Sequence, residues 1–91
     1  MIVNKYPDGS SYVEIDSKDR HSAKFKINSY EDLWYLNQYV EAVNNMGFTP
    51  EITIPNLIDA QADRRFADNQ SSGLKLVCKF LNSMKANFKI F

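Results

Sequence analysis

The sequence holds one cysteine and one histidine in 91 residues. A single cysteine excludes an internal disulfide framework, so a reducing, cytoplasmic setting is the expectation. With no Cys/His cluster, zinc has no ligand set. No apolar run approaches the ~20 residues of a membrane span, and no signal-peptide hydrophobic segment is found. Eleven basic and eleven acidic residues give zero net charge, so the bulk electrostatic mark of a nucleic-acid binder is missing. Three glycines and three prolines are scattered, with no glycine-rich phosphate loop and no linker. No internal repeat and no catalytic Ser/His/Asp set emerges either.

What remains is a composition that is 44% apolar and 24% charged, that of one globular domain. A chain of this length buries only about 60–65% of its unfolded surface. Its charge is unevenly spread. Residues 28–63 carry six acids (Glu31, Asp32, Glu41, Glu51, Asp59, Asp63) and no lysine or arginine, whereas residues 69–91 carry Lys75, Lys79, Lys85 and Lys89 and no acid. Two differently charged solvated surfaces account for this, and so does a charge-steered protein partner.

"MIVNKYPDGSSYVEI" predicts a hairpin, since Pro7 pre-sets φ and Gly9 accepts a positive one. A polar turn is predicted over residues 16–22. Strands are predicted over 23–27, 51–54 and 87–91, with Phe25/Ile27, Ile52/Ile54 and Phe88/Ile90 on one apolar face. Lys24, Lys26, Thr53 and Lys89 point away. Ser29 with Asp32 opens a helix that runs to about Met46 and closes at Gly47. Ser71 or Ser72 caps a second helix ending near Met84. The expected fold is α/β: an N-terminal β-hairpin, then a βαβαβ unit with a mostly parallel sheet and both helices on one face. The opposite face would be solvated, or covered by the hairpin or a partner.

The first helix should bury Leu33, Leu36, Tyr39, Val40 and Val43. The second has a wide arc of Leu74, Leu76, Val77, Phe80, Leu81 and Met84, with Cys78 at its edge as a packed, inert thiol. Trp34 falls outside the first stripe, beside Tyr30, Gln38 and Glu41. That aromatic pair in a polar rim is either a protein interface or is packed under the hairpin.

"DAQADRRFADNQSSGLKLV" (59–77) is long and charged for a strand-to-helix connection, and such connections are functional or disordered. Arg64 and Arg65 beside Asp63 suit phosphate binding by bidentate hydrogen bonds; a solvated charge cluster on a loop is the commoner explanation of such a pair. The region "IPNLIDAQADRRFADNQSSGLKLVCKFLNSM" resembles the strand–loop–helix of ribose-phosphate pyrophosphokinase (PRPP synthetase), particularly bacteriophage-encoded forms. "KYPDGSSYVEI" is similar to that family's Phe-x-Asp-Gly-Glu landmark and its following strand. The order and spacing of the two landmarks extend the resemblance over nearly all 91 residues.

The resemblance implies half of a phosphoribosyltransferase-like domain. It implies nucleotide contacts at Tyr6, Asp8, Asp63, Arg64 and Arg65, with ATP and Mg²⁺ as cofactors of an intact enzyme. Ser10 stands in place of the family's Glu, and Gln61 and Ala62 replace its Arg and Gln. The family's histidine motif, its flexible-loop catalytic basic residues and its ribose 5-phosphate site have no counterpart before Phe91. The leading expectation is therefore a non-catalytic, phage-encoded relative that binds protein, such as an inhibitor of a host enzyme or of a CRISPR-type defence complex in the host cytoplasm. Its interface would comprise Tyr30, Trp34, Gln38 and Glu41. A fragment of an active diphosphate-transferring enzyme and a small nucleotide-sensing module are the alternatives. A protein partner or a homo-oligomer is expected, and neither membrane association nor direct nucleic-acid binding.

Overall fold

A computed structural model describes residues 1–16, 22–58 and 69–90. The hairpin is formed by β1 (Ile2–Lys5) and β2 (Ser11–Glu14), paired antiparallel with Lys5 opposite Ser11. The Gly9 amide donates to the Tyr6 carbonyl (3.0 Å) and the Tyr6 amide to the Ser10 carbonyl (2.8 Å). With Gly9 at φ 91°, this is a three-residue loop ending in a left-handed glycine, which carries the strand twist through the turn.

A second sheet holds β3 (Ser22–Ile27), β4 (Glu51–Leu57) and β5 (Asn87–Ile90), all parallel, with β4 central. The helix α1 (Tyr30–Asn45) lies between β3 and β4 in sequence, and α2 (Gly73–Asn82) between β4 and β5. The fold is thus a small mixed α/β arrangement of two helices and two sheets. Residues of both helices, Leu36 and Val43 among them from α1 and Val77 and Leu81 from α2, join one core with Ile27, Ile52, Ile54 and Leu57.

Local chemistry sets the helix ends. The Ser29 hydroxyl accepts from the Asp32 amide (3.2 Å), while the Asp32 carboxylate accepts from the Asn28 amide (3.0 Å). This is a capping box displaced by one residue at its return bond, because Asp is shorter than the usual Glu. At the other end, the Gly47 amide donates to Asn44 and the Phe48 amide to Val43. That pair of bonds, with Gly47 at φ 91°, is a Schellman motif, and Phe48 packs against the core beside it. The five residues buried by α1 are Leu33, Leu36, Tyr39, Val40 and Val43, the stripe that helical spacing predicts.

Strand β4 runs three residues beyond its predicted end. Its register with β3 shifts between the Lys24–Thr53 and Lys26–Asn56 pairs. The extra residue falls at Ile54-Pro55, where proline has no amide to give the ladder. The bulge also resets the alternation, so Leu57 is buried on the same side as Ile52 and Ile54. A period-two reading cannot extend through such a step.

Three expectations are corrected. Leu76 is not in the core but 56% exposed, because α2 buries only Val77 and Leu81 fully. Cys78 is exposed rather than packed, since it lies one position beyond Val77 on a helix presenting a narrow seam. Ile90, at the end of an edge strand, is also exposed. In addition, α2 ends at Asn82, with Ser83 as its C-cap, short of Met84.

Candidate functional site

The first turns of α1 place Tyr30 and Trp34 four residues apart on one outward face. Tyr30 is 62% and Trp34 51% exposed, whereas their neighbour Leu33 is buried. The hairpin therefore does not cover Trp34. It docks to one side of α1, with Val13 and Ile15 packed against the core and polar contacts beside them. Ser11 donates its hydroxyl to Gln38 Oε1 (3.0 Å), and Gln38 Nε2 donates to the Ser11 carbonyl. Gln38 thus binds its own chain, leaving Glu41 as the exposed polar member of the predicted set.

A second tie comes from the opposite strand of the hairpin, at Lys5, paired with Ser11. Lys5 Nζ is 3.1 Å from Glu31 Oε1, and the Tyr35 hydroxyl donates to the same oxygen. The Lys5 ammonium also sits 5.9 Å from the Tyr35 ring centroid. The Tyr35 hydroxyl, then Lys5, hold the Glu31 carboxyl below its ordinary range; the Tyr35 hydroxyl and Glu31 raise Lys5 above its own. All of this chemistry is solvent-exposed and orients the hairpin more than it stabilises the core.

Tyr6 and Asp8 lie in or beside the hairpin turn. The Tyr6 and Tyr12 rings meet at 5.1 Å between centroids. Asp8 accepts from both the Ser10 amide (2.9 Å) and the Ser10 hydroxyl (2.6 Å). The hydroxyl first, and the amide second, lower the Asp8 pKa. Ser10 therefore uses Asp8 as a turn-forming acceptor. Asp63, Arg64 and Arg65, with Gln61 and Ala62, lie outside the described residues.

Sequence reading did not anticipate a cleft of about 220 Å³ between the two helices, lined by Tyr30, Leu33, Gly73, Leu76, Val77 and Phe80. Its lining is almost wholly apolar, and Tyr30 joins it to the Trp34 surface. The signal was available in the excess width of the α2 apolar arc, which is broader than one core contact needs. Among the described residues no group of three or more His, Cys, Asp or Glu side chains converges as a metal site, and no helix is long and apolar enough to cross a membrane. No protein-family model matches the chain, and no curated protein matches it.

Proposed function

We propose that this chain is a protein-binding domain whose contact surface centres on Trp34 and Tyr30. The observation that carries the reading is a tryptophan 51% exposed, on a well-capped helix, one turn from a tyrosine 62% exposed. Such rings supply large contact area at low conformational cost and are favoured anchors of interfaces. The adjoining apolar cleft adds Leu76 and Phe80, an edge into which a partner's side chain fits.

The resemblance in sequence extends this proposal. The chain is a βαβαβ half-domain with both helices on one face, related to the N-terminal domain of PRPP synthetase and encoded by a bacteriophage. It acts in the host cytoplasm by binding a host enzyme or defence complex rather than by catalysis. The hairpin preceding strand, helix, strand, helix and strand supports that relationship. The turn chemistry of Asp8 with Ser10 supports a shift of this landmark from nucleotide contact to local structure. The alternative, a fragment of the active enzyme, needs ATP, Mg²⁺ and the ribose 5-phosphate site; it is favoured only by the retained Asp63-Arg64-Arg65 run.

A photo-crosslinking residue at position 34, compared with one at exposed Lys85, tests the surface in host cells. A discrete partner adduct at 34 and none at 85 is expected. Equal labelling, or none at 34, overturns it. PRPP formed by the purified chain from ATP and ribose 5-phosphate would establish the enzymatic alternative.

A further inference from the structure

A parallel sheet is normally covered on both faces. Here one face meets the core, through a row of Ala23, Ile52 and Phe88 aligned across the three strands. The next row, on the opposite face, is Lys24, Thr53 and Lys89. Lys26 follows two residues along β3, opposite Asn56. The three lysines are exposed, and Thr53 is half-buried. The hairpin is held on α1 by Ser11–Gln38 and Lys5–Glu31, with Val13 and Ile15 packed against the core, and among the described residues no element covers this face.

We propose that this face docks the acidic surface of another protein. Strand spacing puts the Lys24 and Lys89 backbones about 10 Å apart, and Lys26 about 7 Å beyond Lys24. Three lysine stems therefore rise from one rigid plane. Among the described residues, no carboxylate lies within ion-pair distance of any of them. Among the described residues, Glu51 is the single acid on that face, one row away between Ser22 and Asn87. Unpaired like charges fixed in register repel one another, and an anionic layer relieves that repulsion. The occupant is carboxylate-bearing protein rather than nucleic acid: no aromatic side chain stands among Ser22, Glu51, Thr53, Pro55, Asn87 and the lysines to stack a base, and the chain as a whole carries no net positive charge. It is not apolar protein, because no large apolar side chain stands among the described residues of the face. This surface is independent of Trp34, which lies on the outward face of α1.

The experiment titrates the full ¹⁵N-labelled chain with polyglutamate, and separately with duplex DNA, while following backbone amide shifts. Polyglutamate is expected to move the Lys24, Lys26, Thr53 and Lys89 amides saturably, more than those of Lys75 and Lys79 on α2. Binding should weaken about tenfold or more in the K24Q/K26Q/K89Q variant, and severalfold with added salt. Lys24→Gln alone, with a weaker but measurable loss, serves if the triple variant does not fold. Shifts concentrated on α2, tighter binding of DNA, or no saturable binding to β3 and β5 each overturn the proposal; the last leaves the lysines as guards against edge-to-edge strand pairing.

Discussion

Helix α1 carries two large aromatic residues five positions apart with opposite environments, and truncating each measures how well that division is understood. Tyr39 is 1% exposed and its ring meets Phe25 at 5.2 Å between centroids; Trp34 is 51% exposed. A fully buried aromatic of this size removes about 150–250 Å² from water. At half burial Trp34 removes about 100 Å², or ~2.5 kcal/mol at ~25 cal/mol per Å². A compact denatured chain and the better helix propensity of alanine together reduce that to about 1–1.5 kcal/mol. Trp34→Ala should therefore lower the thermal midpoint by roughly 4–10 °C. Tyr39→Ala opens a cavity and should cost about 3–5 kcal/mol, a large part of the ~5–14 kcal/mol available to a chain this long. Urea denaturation followed by far-UV circular dichroism gives both values without relying on the lone tryptophan as reporter. A loss of 3 kcal/mol or more for Trp34→Ala would falsify the placement of this ring on the surface, and with it the proposed interface.

Gly47→Ala should cost about 1–2 kcal/mol, from the left-handed backbone alone. A Cβ built there meets no atom within 4 Å, so a loss above ~3 kcal/mol in urea denaturation would contradict that open surrounding. Asn4 Nδ2 is buried without a partner, and Asn4→Val should raise stability by about 1 kcal/mol by removing an unmet donor from a strand; an unchanged or lower melting temperature would show that the amide is satisfied. For pH, Asp8 and Glu31 titrate below their ordinary values when folded and Lys5 above its own. The carboxylate contributions are present above about pH 4 and fade as pH falls through the lowered folded values; that of Lys5 is present below about pH 10 and fades as pH rises through its raised value. Protection of the hairpin amides, after correction for intrinsic exchange rates, should be greatest between those limits, and protection that rises further below pH 4 would refute the assignment.

Helical spacing, capping chemistry and turn residues act over three or four positions, and these were legible directly. Ser29, Gly47 and Gly9 mark ends and turns because each meets a local backbone demand that few other residues meet. The stripe Leu33/Leu36/Tyr39/Val40/Val43 was equally plain, since a helix repeats its buried face at a fixed angle. The sequence likewise aligned Lys24, Thr53 and Lys89 on the sheet face away from the core, because strand alternation is local too. What local rules could not contain was decided in three dimensions. The bulge at Ile54-Pro55, which returns Leu57 to the core, depends on register with β3. Leu76 and Cys78 are exposed because the seam that receives α2 is narrower than its apolar arc. Gln38 binds Ser11, 27 residues away, and that docking places the hairpin on α1, leaving Trp34 exposed and the hairpin away from the lysine-bearing sheet face. Burial is a property of neighbours distant in sequence, so an amphipathic pattern specifies which residues can be buried and only the packed neighbours determine which of them are.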